Sequence, residues 1–254
     1  MNDPVNSTIL LLDIEKYSER DDVEQAFLRR MLYDLTDRAL LAAGIDETRR
    51  RRADRGDSVM ELIDANCSVI ALLRALLTEM PARLHSQNRR ASASARMRLR
   101  GVVASGFVAV DPLDGWVGSD LNHACRLLDA EALREALRER RDDFALCVSD
   151  TVYQGVVRHS HTGVPAEEFR SVTVDSKNGP LDAWLHGALP QEDPRGADAA
   201  PAAPRPTVPG PAPAAGFGGA PITGGVFGGT NHGIGGGTFH GNVSFGDGGR
   251  GERR

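Results

Sequence analysis

The sequence predicts an α/β (α+β) domain of the ferredoxin-like kind, an antiparallel-rich sheet with flanking helices, and three observations carry that expectation. Residues 8–14 form an apolar run without alternation, the pattern of a central strand buried on both faces. Two segments of helical periodicity follow strand-like stretches, one opening at Asp21 and Asp22 and one at Cys67. Short strand patterns also come in pairs joined by turn residues, so the order reads β-α-β-β-α-β-α-β with late additions, the split β-α-β plan.

In order, residues 8–14 come first as the central strand. Ala26, Phe27, Met31, Leu35, Ala39 and Leu40 then recur at helical spacing, and Gly44 can close that helix. Residues 48–52 and 58–63 flank Asp54-Arg55-Gly56-Asp57, whose Gly and Asp residues favour a turn, so the pair reads as a β-hairpin with Asp57 at its tip. Val69, Ile70, Leu72, Leu73, Leu76 and Leu77 give the segment from Cys67 to about Gln87 the broad apolar face of a packed helix. Met97, Leu99, Gly101 and Val103 alternate with Arg96, Arg98, Arg100 and Val102, the period of a half-buried strand. A turn over residues 111–115 precedes a third helix, capped by Ser119 or Asp120 and running to about Arg140. Residues 144–149, 169–175 and 181–185 finish as strands.

The chain has 254 residues, a net charge of −5 and 41% hydrophobic residues, enough for one sizeable domain with an appendage. The balance is not basic, which argues against nucleic acid. No apolar run approaches the roughly 20 residues of a bilayer span and no leader pattern opens the chain, so a cytoplasmic protein is expected. Cys67, Cys125 and Cys147 are far apart and lack C-x-x-C spacing, so they read as reduced thiols acting as small hydrophobes. Composition changes at Pro190: nine of the 32 residues from there to Pro221 are proline, and 16 of the 39 from Gly216 onward are glycine. Neither stretch can bury a core. The expected organisation is a domain over residues 1–189, a Pro/Ala-rich linker over 190–221 and a disordered Gly-rich tail over 222–254.

Chemistry concentrates at four places. A carboxylate inside Leu11-Leu12-Asp13-Ile14 must be paired, metal-bound or at a strand end, because burying it bare is costly. Asp57 at the hairpin tip supplies a second carboxylate, and the two outline a divalent-metal site. Asn122 and Arg126 stand one helical turn apart, an amide and a guanidinium able to reach one anionic centre. Such parts suggest nucleotide chemistry.

These residues resemble the catalytic domain of class III nucleotidyl (adenylate/guanylate) cyclases over most of residues 7–189. Asp13, with Ile14 beside it, is similar to that family's first metal-binding aspartate, and Gly56-Asp57 to the hairpin bringing the second. Asn122 and Arg126 match a G-x-x-x-N-x-x-x-R signature starting at Gly118, which in the family orients the ribose and stabilises the transferring phosphoryl group. Lys177, in Ser176-Lys177-Asn178-Gly179, resembles the triphosphate-binding lysine of the late hairpin. The resemblance implies a homodimer that converts a nucleoside triphosphate to a 3′,5′-cyclic nucleotide and pyrophosphate with two Mg²⁺ or Mn²⁺ ions. Its sites would lie between protomers, one supplying the metal-binding aspartates and the other Asn122 and Arg126.

Two positions depart from the family. Its base-selecting residues stand three before the hairpin Gly-Asp pair and three before the signature glycine, which here are Ala53 and Gly115. Neither side chain can hydrogen-bond a purine, so a different base, or a degenerate module that binds without turnover, stays open. Arg-Gly-Asp in the hairpin and Asn-x-Ala-x-Arg-Leu-Leu-Asp in the helix are also similar to a group of actinobacterial cyclase-like domains.

Other motifs read more plainly. Arg49 to Arg52 is expected to be a solvated edge that blocks strand pairing. His159 and His161 lack neighbours for a metal site and read as surface residues. The Gly-rich tail lacks the lysine and the strand-then-helix context of a phosphate loop. Within it, residues 238–245 alternate, with Phe239, Val243 and Phe245 on one face and Thr238, His240, Asn242 and Ser244 on the other. The segment resembles the RIP homotypic interaction motif and related bacterial amyloid-signalling motifs, which implies self-assembly or an effector partner.

Overall fold

The computed structural model describes residues 3–111, 115–175 and 179–187. At its centre lies β1 (Val5–Ile14), buried from Ser7 to Ile14 and flanked antiparallel by β3 (Ser58–Asp64) and β4 (Leu99–Val110). On one side β2 (Arg50–Asp54) pairs with β3 and forms an edge. On the other, β4 runs parallel to β6 (Phe144–Ser149), followed by β8 (Leu181–His186) and β7 (Phe169–Val174), both antiparallel to their neighbours. A short β5 (Trp116–Val117) folds back on the end of β4. The mixed, mostly antiparallel sheet has the order β2-β3-β1-β4-β6-β8-β7.

Two core layers cover the sheet, and the period of two in β1 assigns residues to them. Leu10, Leu12 and Ile14 pack with α1 (Asp22–Ala42), α2 (Val69–Asn88) and α5 (Asp150–Gly155). Ile9 and Leu11 pack with α3 (Ser119–Asp129) and α4 (Glu131–Glu139). Asp13 continues the second set, so its carboxylate lies on the α3/α4 face. The unbroken apolar run follows from this double cover.

Local chemistry sets the helix starts. Asp21 accepts the amides of Val23 and Glu24 while Glu24 reaches back, a capping box for α1. Ser68 does the same more simply for α2, accepting from Ala71 N at 3.2 Å.

The third helix differs from expectation. It ends at Asp129, and α4 restarts after Ala130, whose extended backbone (φ −62°, ψ 136°) breaks the segment. Neither Ser119 nor Asp120 caps it; Gly118 holds the N-cap position without a side-chain bond. Asp120 instead accepts Phe107 N at 3.0 Å, tying α3 to β4. A Cβ at Gly106 would meet that carboxylate at 2.1 Å, and one at Gly118 would meet the Phe107 carbonyl at 2.5 Å. The signature glycine is therefore a point of close helix-to-strand approach.

The arginine run is a correction as well. Arg50 and Arg52 are not a solvated edge: they point toward α1, where Glu61, fully buried in β3, accepts from Arg50 at 2.7 Å and Arg52 at 2.5 Å. Asp37 of α1 binds the same two guanidiniums at 2.7 and 2.6 Å. The polar residues on this edge alternate inward because a helical carboxylate waits for them, which composition alone cannot reveal. Burial pushes the Glu61 carboxyl above its ordinary range, opposed by both arginines.

β4 is likewise not half-buried from Leu99 to Ala104, since side chains of both faces are covered there and Arg100 is only 13% exposed. Cys147 is buried, with its thiol pushed up to about 12 by burial, whereas Cys67 and Cys125 are half-buried. His159 and His161 lie at the surface. No helix among the described residues is long and apolar enough to cross a membrane.

Candidate active site

Asp13, one residue before the end of β1, stands opposite Ser58 of β3 and Arg100 of β4. The hairpin between β2 and β3 places Asp57 beside it. Gly56 takes φ +85°, a left-handed conformation natural to glycine, and Asp54 accepts its amide at 2.8 Å. The Asp57 carbonyl then accepts Ile14 N at 3.1 Å, so main chain ties the hairpin tip to the end of β1. Asp57 itself is exposed.

Charge at this corner is not neutralised evenly. Burial raises the Asp13 carboxyl to a pKa of about 6, against the pull of its ion pair with Arg100. The carboxylates of Asp57 and Asp129 push it further upward. Asp57 and the last residue of α3 are thus both within electrostatic reach of Asp13. Arg100 and Asp129 are the participants that sequence reasoning missed. Arg100 read as the solvent face of a half-buried strand; the signal available was its place opposite a buried aspartate, which requires the register to be known.

On α3, Asn122 is exposed and Arg126 is half-buried, with a buried Nη1 that has no hydrogen-bond partner. Arg126 lines an open pocket of about 630 Å³ with Asp129 and Glu131 at the α3–α4 break and Thr173, Val174 and Asp175 at the end of β7. That break, unforeseen in the sequence, forms one wall. Lys177 lies outside the described residues, two positions beyond Asp175.

Ala53 sits in β2 opposite Met60, half-buried against the α3/α4 core layer. Gly115 closes the β4–β5 hairpin, where its amide donates to Asp111 Oδ1 at 2.9 Å, and a Cβ there would strike the same carboxylate at 2.2 Å. Neither offers a side chain to a base. Asp111 fills the space that a larger residue at 115 would need.

Among the described residues, no group of three or more His, Cys, Asp or Glu is placed to hold a metal ion. The carboxylates of Asp13 and Asp57 are nonetheless hard oxygen donors of the kind Mg²⁺ and Mn²⁺ accept, and their mutual repulsion is what a cation relieves. The donor chemistry fits a divalent ion, with one Asp13 oxygen already engaged by Arg100.

The architecture is shared with solved cyclase catalytic domains. An adenylate/guanylate cyclase/hydrolase from Silicibacter pomeroyi is 21% identical, with a TM-score of 0.51, and the match covers 74% of this chain and 99% of that one. A bacterial light-regulated adenylyl cyclase gives 14% identity and a TM-score of 0.51 over 73% of this chain and 91% of its own. The guanylyl cyclase Cya2 gives 15% and 0.50 over 76% and 95%. No protein-family model and no curated protein matches the chain. At these identities the likeness concerns fold: a mixed α/β sheet with flanking helices, that of the nucleotidyl cyclase catalytic domain.

Proposed function

We propose that the domain is a nucleotidyl cyclase, converting a nucleoside triphosphate to a 3′,5′-cyclic nucleotide and pyrophosphate in intracellular signalling. The observation that carries the reading is the juxtaposition of Asp13 with Asp57, two carboxylates from distant sequence positions held together by the Ile14 amide on the Asp57 carbonyl.

Asp13, the neighbouring Ile14 backbone and Asp57 would hold Mg²⁺ or Mn²⁺. When bound, such ions lower the pKa of the ribose 3′-hydroxyl and neutralise phosphate charge. Arg126 offers its unpartnered Nη1 to a phosphoryl oxygen, stabilising charge that grows as the bond to pyrophosphate breaks. Asn122, one turn earlier and exposed, orients the ribose. Lys177 would neutralise the departing phosphates. Ala53 and Gly115 leave the base without a side-chain partner, which supports weak base selection; it equally supports a second reading, nucleotide binding without turnover.

Residues of the two halves would come from different protomers of a homodimer. Asp57→Asn and Arg126→Ala should each abolish product, and mixing the two chains should restore part of it. Absence of rescue in demonstrated heterodimers would place the site within one chain.

For residues 238–245, the alternating pattern without proline or formal charge supports self-assembly through stacked strands. This tail would act as a self-assembly or effector-binding adaptor.

A further inference from the structure

Arg100 is out of place for a domain whose first aspartate takes a metal ion. It is the residue directly across the β1–β4 ladder from Asp13, and the pair is buried, with side chains 13% and 11% exposed. Its Nη2 donates to Asp13 Oδ2, while Nε and Nη1 are buried without partners. The side chain belongs to the same sheet face as Asp13, Arg126 and the α3–α4 break. The other charges acting on Asp13, Asp57 and Asp129, are anions. A guanidinium therefore sits where a divalent cation would have to approach.

We propose that Arg100 is a built-in counter-cation at the metal position, so that the folded domain holds Asp13 without metal and a divalent ion binds there only by displacing the guanidinium. This rests on the reading of Asp13 as a cation ligand. The cost of parting Arg100 from Asp13 is offset when its unpartnered Nε and Nη1 gain an acceptor, and a phosphate oxygen entering the cleft supplies one. Nucleotide would thus draw Arg100 away and release Asp13. Metal binding becomes conditional on the anion, and Arg100 becomes a phosphate contact in the loaded site.

The test uses the full chain in chelator-treated buffer at pH 7.5, with Mn²⁺ as the probe and without nucleotide. The wild-type chain should bind Mn²⁺ weakly, its Tm moving by less than about 1 °C at saturating ion. Arg100→Met leaves Asp13 buried among anions and should lower the metal-free Tm by roughly 10 °C. Mn²⁺ should then bind at least roughly tenfold tighter than to wild type, seen by electron paramagnetic resonance, and recover most of that loss. Asp13→Asn added to Arg100→Met should remove the Mn²⁺ response. Adding a non-hydrolysable triphosphate to the wild-type chain should restore Mn²⁺ binding at Asp13. Tight Mn²⁺ binding by the wild-type chain alone would overturn the proposal even if Arg100→Met fails to fold, as would equal affinities in the two chains. Since the ion measurements need no turnover, an inactive protein with this pattern contradicts the cyclase reading and leaves the counter-cation standing.

Discussion

The amide of Ile14 donates to the carbonyl of Asp57 at 3.1 Å, fixing the hairpin tip against the end of β1 through main chain alone. Side-chain replacement of Asp57 therefore removes charge without loosening the corner. Burial, the main cause of the raised Asp13 pKa, is untouched in Asp57→Asn, so the value should fall below about 6 yet stay above the ordinary 3.8, because one of the anions adding to it is gone. Carboxyl-carbon NMR titration measures this. An unchanged value would separate the two side chains.

The raised pKa also sets a stability slope. Folding favours the protonated Asp13, so the stability it contributes is present in full below pH 3.8 and is lost as pH rises through about 6. Relative to Asp13→Asn, the wild-type chain should lose stability across that window and run parallel outside it. Urea unfolding at stepped pH reads the difference; parallel curves throughout would contradict it.

Gly118→Ala should act on the site through the backbone. The new Cβ meets the Phe107 carbonyl at 2.5 Å, so α3 must shift and carry Asn122 and Arg126 with it. A stability loss of about 2 kcal/mol is expected from the overpacking. Turnover should fall roughly a hundredfold. Normal activity in the folded variant would show that α3 placement does not matter.

The contrast between what was and was not legible in the sequence follows from the range of the interactions. Residues 144–149 matched β6, and the first two helices fell close to their expected ends, because apolar period and caps are local. The α3–α4 break at Ala130 carries no glycine or proline, so a continuous helical pattern concealed it. Arg50, Arg52 and Arg100 were read outward because their carboxylate partners, Glu61, Asp37 and Asp13, are distant in sequence. Pairing across strands and onto α1 decides such residues, and no window of sequence contains it. Asp13 drew notice as a carboxylate inside an apolar strand and Asp57 as a hairpin-tip aspartate, both local signals; Lys177 and the tail lie outside the described residues.

Glu61 tests the buried network. Glu61→Ala removes the shared acceptor of Arg50 and Arg52, leaving Arg50, 8% exposed, with Asp37 alone. Destabilisation of about 3 kcal/mol is expected in urea unfolding. A change below about 0.5 kcal/mol would mean that Asp37 suffices.

A peptide covering residues 224–246 should form thioflavin-binding fibrils with the roughly 4.7 Å repeat of stacked strands. Phe239→Asp with Val243→Asp should stop assembly, since like charges then face each other in every layer. A wild-type peptide that stays monomeric at high concentration would remove the adaptor role.

The most direct measurement is product formation. The purified chain is incubated separately with each of the four ribonucleoside triphosphates and Mn²⁺, and products are resolved by mass spectrometry. A 3′,5′-cyclic nucleotide with stoichiometric pyrophosphate should form from at least one of them, and disappear in Asp57→Asn. Binding of a triphosphate without any cyclic product, in a chain shown to be dimeric, would contradict cyclase chemistry and leave a nucleotide-binding module.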